Sequence, residues 1–372
     1  MDGSVRQRNL ARILRIVHLD GPQSRAALTA ATGLNRSTIG DLVAELQLSG
    51  LVQERPPEAG RVGRPSPVVA ASADVVAIAV NPEVDAVEIA AIGLDRSVRA
   101  RVRLDQETAP SPENVADLVG RWIAESDELR GSTIVGVGIA VPGLVRASDG
   151  LVRDAPHLGW RDVPLRDVVE SRAGLPADLD NDATLGARAE HLFGAARGVD
   201  DAVYLNGGAS GIGGGLVIGG QLVRGHSGYA GEFGQNRPGI VEPADRTTAD
   251  GVLEDEVTRA RLLALVGKAH ADDAELADAL GGIPDGEIER QRRILATALA
   301  NAVNVLNPSV VVVGGFLAIL VARDLPSFTA EVRSQAMSAN AEDVEVRVAA
   351  LGGDRLLVGA AERVFEERVL AG

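Results

Sequence analysis

The sequence predicts an α/β protein in which a short helix-turn-helix head precedes a large body of alternating strands and helices. Three observations predict it. The first fifty residues carry apolar stripes at helical spacing joined by a Gly-containing turn, whereas beyond residue 72 short strand-like runs alternate with helices. At 372 residues the chain exceeds one domain of about 100–200 residues. Charge is also unevenly divided: residues 1–68 hold nine Arg against six acidic residues, although the whole chain carries −15. A uniformly acidic surface would repel phosphate, so the basic opening segment alone is the plausible DNA-facing unit.

Composition narrows the chemistry. Hydrophobic residues at 45% suffice for sizeable cores, and the absence of Cys excludes disulfides, a cysteine nucleophile, iron–sulfur clusters and cysteine-built zinc sites. No apolar run reaches the roughly 18 residues of a membrane span, and no signal-peptide pattern opens the chain, so a soluble, cytoplasmic protein without membrane partners is expected.

In the head, Leu10, Ile13, Leu14 and Val17 form one face of a first helix over Gln7 to His18. Ser24 is placed to cap a second helix running to Thr32, which Gly33 breaks. Asn35 caps a third, to about Leu48, with Ile39, Leu42, Val43 and Leu46 on its apolar face. Its first turn exposes Asn35, Arg36, Ser37 and Thr38, donors suited to base edges and phosphates in a major groove. Strands at Leu51–Arg55 and Val68–Ala71 flank a basic loop, whose Arg61 and Arg64 fit a wing reaching phosphates or a minor groove. Ser24 and Arg25 complete the expected DNA-binding set; the alternative is a helical hairpin used only for packing, beside a solvated loop.

The body begins with a hairpin, Val75–Val80 and Ala86–Ala91, then strand Val98–Leu104, a helix over Ser111–Ser126 and a buried-looking strand Ile134–Ala140. Pro142-Gly143 follows a strand end, where α/β folds place ligand groups. A strand over Pro176–Asp180 meets a helix over Ala183–Phe193 at Asn181-Asp182. Asp182 there could bind a ligand hydroxyl or act as general base, or the pair could merely cap the helix. Strand Ala202–Asn206 leads into the glycine-rich stretch 207–215, read as a loop able to present N–H groups to phosphates or sugar oxygens, or as a close-packed β-turn. It is neither a Walker A sequence nor a dinucleotide fingerprint. Strand Leu216–Ile218 and turn Gly219-Gly220 come next. A polar stretch Ala271–Glu287, loop or short helix, precedes a long helix over Arg290–Leu306. Strand Val310–Val313 ends in Gly314-Gly315, which lets a ligand approach the backbone closely. An edge strand over Glu345–Ala349 and a helix over Arg355–Leu370 finish the chain.

Taken together, Leu34-Asn-Arg-Ser-Thr38, Gly63-Arg-Pro65, Ala155-Pro-His-Leu-Gly-Trp160, Asn181-Asp182, Gly211–Gly215, Ala230-Gly-Glu-Phe-Gly234 and Val313-Gly-Gly315 resemble the ROK family of repressors, open reading frames and sugar kinases, particularly its NagC, Mlc and xylose-repressor-type regulators. The resemblance implies a winged helix-turn-helix over 1–71 and a two-lobed actin-like, sugar-kinase-like (ribonuclease H-like) domain. Its first lobe would span 72–182, its second 183–310, and a segment 311–372 would return to the first. It also implies sugar contacts at His157, Asn181, Asp182, Glu232 and Glu254, with Asp182 the catalytic base if the chain is a kinase. Gly211, Gly213, Gly214, Gly314 and Gly315 would line a nucleotide if one binds.

Two departures bear on function. Family kinases carry an Asp-Gly-Gly-Thr phosphate loop where this chain reads Asn81-Pro-Glu-Val-Asp85; Pro82 removes a donor and Glu83 and Asp85 repel phosphate. Where family members carry a His and three Cys for zinc, Gln235 follows Gly234 and Cys is missing, so no metal is expected. His157 also replaces a family Asn. These features imply a sugar-responsive DNA-binding regulator, most plausibly a repressor, without cofactor. Its partners would be operator DNA and a sugar or sugar phosphate, and it would assemble as a homodimer or a tetramer. The alternatives are an ATP-dependent sugar kinase with a regulatory head and a DNA-binding scaffold that has lost ligand response.

Overall fold

A computed structural model describes residues 5–56, 66–208, 210–240, 242–283 and 286–371. The expected basic loop with Arg61, Gly63 and Arg64 lies outside them.

The head consists of α1 (Val5–Leu19), β1 (Gln23–Ser24), α2 (Arg25–Thr32), α3 (Arg36–Leu48), β2 (Val52–Arg55) and β3 (Val68–Ala71), with an antiparallel sheet in the order β1-β3-β2. Helices α2 and α3 start where short polar side chains satisfy free N–H groups. Ser24 Oγ accepts from Ala27 N at 3.1 Å, and Asn35 Oδ1 accepts from Thr38 N at 2.9 Å. Gly33, at φ +72°, closes α2 in the left-handed conformation that glycine adopts without strain. Arg12 donates to the terminal carbonyls of α2, at Ala31 and Thr32, where a cation suits the helix dipole.

Two five-stranded sheets form the body. The first contains β4 (Val75–Pro82), β5 (Ala86–Gly93), β6 (Val98–Asp105), β7 (Thr133–Val141) and β11 (Ala177–Asn181), with α4 (Pro112–Glu125) and α5 (Leu165–Ala173) packed together. Between β7 and α5, a small sheet of β8 (Leu144–Val145), β9 (Val152–Ala155) and β10 (Trp160–Val163) rises beyond the end of β7. The linking helix α6 (Asp182–Phe193) then leads to β12 (Ala202–Gly208), β13 (Gly211–Ile218) and β14 (Gln221–Leu222). Helices α7 (Leu253–Glu256), α8 (Arg259–Leu265), α9 (Asp273–Leu280) and α10 (Gly286–Leu306) follow. The chain continues through β15 (Val310–Gly315), α11 (Phe316–Ala322), α12 (Leu325–Gln335), α13 (Ser338–Ala341), β16 (Glu345–Val348) and α14 (Arg355–Arg368).

Read from one edge, the sheets are β6-β5-β4-β7-β11 and β14-β13-β12-β15-β16, each with two antiparallel pairings followed by two parallel ones. The lobes thus repeat one topology, and the hairpins β4–β5 and β12–β13 are counterparts.

Two expectations need correction. Gly211–Gly215 is not a loop but the first part of β13, and its glycines meet close neighbours on both faces: a Cβ on Gly213 would come within 2.7 Å of the Ala183 Cβ and one on Gly215 would overlap the Ala187 Cβ, both on α6, while Gly211 and Gly214 face Glu254 and Phe233. The segment 311–372 does not return to the first lobe as a whole. Strands β15 and β16 complete the second sheet, because β15 pairs in parallel with β12, and only α14 crosses back to pack on β7, β4 and α6.

The head docks on this returning helix. The apolar core of α1, α2 and α3 is continuous with Ala77, Ala79, Ile92, Leu94, Ala360, Val364 and Phe365. At the centre of the joint His18 is wholly buried, with Nε2 at 2.9 Å from Glu362 Oε2 and Nδ1 at 2.6 Å from the Leu94 carbonyl. It stands edge-on to Phe193, the last residue of α6, and to Phe365. Burial depresses the imidazole pKa, yet the hydrogen bond and charge of Glu362, with the Leu94 carbonyl, outweigh it and hold the pKa above the ordinary value. Arg197 secures the rim by donating to Asp20 at 2.9 Å.

Candidate functional site

The crevice between the lobes is built where β11 ends and α6 begins, at the carboxyl ends of parallel strands. Asn181 is the N-cap of α6: its Oδ1 accepts from Thr184 N at 3.0 Å and its Nδ2 donates to the Gly143 carbonyl at 3.1 Å. The capping role and the Pro142-Gly143 turn are therefore one structure. Asp182, partly buried, accepts from its own Ala183 N at 2.8 Å. Loss of water pushes its pKa up to about 6; the Ala183 N–H and the Arg355 charge restrain the rise, and Glu83 adds repulsion.

Two further carboxylates converge on this point. Glu232 is raised by desolvation and then by the charges of Asp182 and Glu254. Glu254 is oriented from both sides, accepting from Ile212 N at 3.1 Å and from Gln235 Nε2 at 2.5 Å. Asp182, Glu232 and Glu254 thus form an acceptor-rich site suited to ligand hydroxyls, which donate to carboxylates. His157 stands exposed on the turn between β9 and β10, with no hydrogen bond to these carboxylates among the described residues.

Sequence reading missed Arg355. At the first position of α14, its Nε donates to Asn206 Oδ1 at 3.0 Å, and its charge acts on Asp182. A cation in the first turn of a helix opposes the dipole, and that mismatch after Gly352-Gly353-Asp354 was the available signal.

The turn expected to oppose nucleotide phosphates is closed on itself. Asn81 is buried and donates to Glu83 Oε1 at 3.0 Å, while Glu83 N donates to the Ala86 carbonyl at 2.8 Å. Arg103 binds Glu83 at 3.0 Å and Asp85 at 3.2 Å. In the opposite lobe, Gly211 lies against Glu254, Gly214 against Phe233 and Gly314 beside Tyr204 and Asn206, while Gly315 takes φ +61° over Gly207. These glycines serve close packing around the crevice.

Among the described residues, the loop after Glu232 offers no group of His, Cys, Asp or Glu side chains placed to hold zinc. Gln235 is committed to Glu254, and the residues that follow, Asn236-Arg-Pro-Gly239, include no thiolate. The family's metal does not fit here.

In the head, Asn35, Arg36 and Ser37 are exposed on the first turn of α3, with Thr38 partly so. Ser37 Oγ donates to Asn35 Oδ1 at 2.7 Å. Ser24 is used as a cap, and Arg25 is ion-paired with Glu54, so both hold the head together. No helix among the described residues is long and apolar enough to cross a membrane.

Comparison with known proteins fits this architecture. The xylose repressor of Caldicellulosiruptor bescii is 28% identical over 333 residues, covering 83% of this chain and 83% of that protein. The glucokinase of Streptomyces coelicolor is 30% identical over 292 residues, covering 70% of this chain and 88% of its own length. The crystal structure of a ROK family transcriptional regulator, a homologue of the E. coli Mlc protein, matches 99% of this chain and 100% of its own with a TM-score of 0.76 at 21% identity, and so shares the fold from head to last helix. Residues 77–367 match the ROK family model, from the first strand of the first lobe into α14, and the chain belongs to the ROK family.

Proposed function

We propose that this protein is a cytoplasmic, sugar-responsive DNA-binding repressor of genes for carbohydrate uptake or metabolism. The carrying observation is the physical continuity of the two sites: α6 begins at Asp182 in the crevice and ends at Phe193 against His18 of the head. A ligand that draws the lobes together acts on both ends of one helix. For this to release DNA, the ligand must bind the two head arrangements with different affinity. The head would be a winged helix-turn-helix, with Asn35, Arg36, Ser37 and Thr38 reading bases and Arg61 and Arg64 reaching the backbone. A homodimer would place two heads on half-sites about 34 Å apart or a multiple of it. Hydroxyls of a sugar or sugar phosphate would meet Asp182, Glu232 and Glu254, with Asn181 shaping the helix start and His157 closing from the small sheet.

Footprinting tests this on DNA upstream of the protein's own gene and neighbouring sugar genes, with D-xylose and D-glucose as probes. Paired protected half-sites that open on addition of one sugar are expected; absence of specific protection sinks the reading. The kinase reading draws on Asp182, whose pKa of about 6 suits a general base. Against it stands the turn of Pro82, Glu83 and Asp85, where repulsion and donor loss disfavour ATP. Robust ATP-dependent phosphorylation of a hexose, abolished in Asp182→Asn, would reverse the preference.

A further inference from the structure

We infer that Glu256 and Arg290 are the positioning pair of the ligand crevice, holding Glu254 in place by a buried charge staple where the family uses a metal. The inference rests on the reading of Glu254 as a ligand contact. Its geometry does not. Glu256 is wholly buried at the end of α7, two residues from Glu254. Its carboxylate accepts from Thr247 N at 3.0 and 3.1 Å, Thr247 Oγ1 at 2.6 Å, Thr248 N at 3.0 Å and Arg290 Nη1 at 2.9 Å.

Arg290, itself buried in α10, returns through Nη1 to the Asp245 carbonyl at 2.6 Å and through Nη2 to the Glu256 carbonyl at 2.6 Å. Glu287 fixes the same guanidinium at 2.8 and 2.9 Å. One turn further on, Arg293 clasps Asp245 at 2.8 and 3.0 Å. Both ends of the loop from Asp245 to Glu256 are therefore tied to the rigid helix α10.

A buried carboxylate is stable only when paired and hydrogen-bonded, and here it is both. Burial alone would raise the Glu256 pKa, but the Thr247 and Thr248 donors and Arg290 bring it below its ordinary value. The short helix α7 turns this fixation towards the crevice: Glu256 faces the staple while Glu254 faces Ile212 and Gln235. Freeing Glu256 would remove the buried anchor of the loop and leave Glu254 held by Ile212 N and Gln235, with Arg293 and Asp245 as the loop's remaining tie to α10. Losing an orienting partner of this kind weakens ligand binding without touching the ligand.

The test uses the full-length protein with two readouts. Hydrogen–deuterium exchange of the segment 243–256, without sugar, is compared in wild type with and without EDTA, in Glu256→Ala and in Arg290→Met. Calorimetry with D-xylose and D-glucose, and operator binding without sugar, are measured on the same samples. The inference expects slow exchange at Thr247 and Thr248 that EDTA leaves unchanged. It expects about tenfold faster exchange and about tenfold weaker sugar binding in either variant, with operator affinity as in wild type.

Loosening of the wild-type loop by EDTA, or unchanged exchange in Glu256→Ala, overturns it. If Glu256→Ala fails to fold, Glu256→Gln keeps an acceptor for the Thr amides and loses the charge on Arg290, and intermediate exchange and affinity are then expected. Should the wild type bind neither sugar, the effector reading fails, while the exchange comparison still decides whether the staple holds the loop.

Discussion

The two lobes repeat one strand order, yet their equivalent hairpins are built in opposite ways. Hairpin β4–β5 ends in a turn of carboxylates, Glu83 and Asp85, restrained from outside by Arg103 of β6. Hairpin β12–β13 is lined instead by glycines, because neighbours fill the space where side chains would stand: Phe316 at Gly207, Glu254 at Gly211, and α6 at Gly213 and Gly215. The first tunes the crevice by charge, acting on Asp182 from across the gap; the second shapes it by contact. A topology duplicated within one chain has thus been divided between electrostatics and packing.

The largest expected effect is on the packed side. In Gly215→Val the new Cβ would overlap that of Ala187 and sit 3.1 Å from the Ala183 carbonyl, so α6 must move away from β13. Overpacking of this kind costs about 3 kcal/mol, measured by urea unfolding. On the charged hairpin, Glu88→Ala removes a partly exposed pair between Glu88 of β5 and Arg101 of β6 and should cost only about 0–1 kcal/mol. Equal losses in the two variants would break the contrast between the lobes.

Much of this division could be read from residues, and the rest could not for definable reasons. Ser24 and Asn35 announce their helices because capping is local chemistry, and both cap as expected. Most strands of the two sheets followed from apolar runs bounded by turns, but the two-residue edge strand β14 was not foreseen and only the Leu216–Ile218 part of β13 was read as strand. The glycine stretch misled because glycine density signals backbone freedom and close approach alike, and only the elements the fold places against it, α6 together with Glu254 and Phe233, decide between them. Segment 311–372 misled for a related reason: pairing of β15 with β12 is a non-local choice that no periodicity encodes. His18 looks like the end of an amphipathic helix, and its partner Glu362 lies 344 residues away. Glu254 and Glu232 were legible through motif resemblance; Arg355 and the pair of Glu256 with Arg290 needed the fold.

The next effect concerns the group on which both hairpins act. Asp182 has its folded pKa raised from 3.8 to about 6, so the native state binds more protons than the unfolded chain between those values. Stability therefore falls as pH rises from 4 through 6, and the full penalty is present above 6. Asp182→Asn removes the charge and should stabilise the protein at pH 7.5 by about 1–3 kcal/mol, with no gain at pH 4. Thermal unfolding across that range checks the sign. The same variant should lose sugar binding, the usual opposition between a strained site and stability. A destabilised Asp182→Asn at pH 7.5 would mean that the carboxylate is satisfied rather than strained.

The smallest effect isolates the reach of the charged hairpin. Glu83 contributes the last of the influences on Asp182, and Arg103 already partly neutralises it. In Glu83→Gln the amide still accepts from Asn81 Nδ2, so the turn keeps its shape while the charge is gone. The pH midpoint of the stability change assigned to Asp182 should then move slightly below about 6, a shift seen only by comparing Glu83→Gln with Glu83→Gln/Asp182→Asn over the same pH series. Arg103→Gln should move it the other way, because Glu83 and Asp85 lose their counter-charge. If neither variant moves the midpoint, desolvation alone raises Asp182. The charged hairpin would then act only on ligands entering the crevice, by repelling phosphate, while the packed hairpin alone would set the conformation of the site.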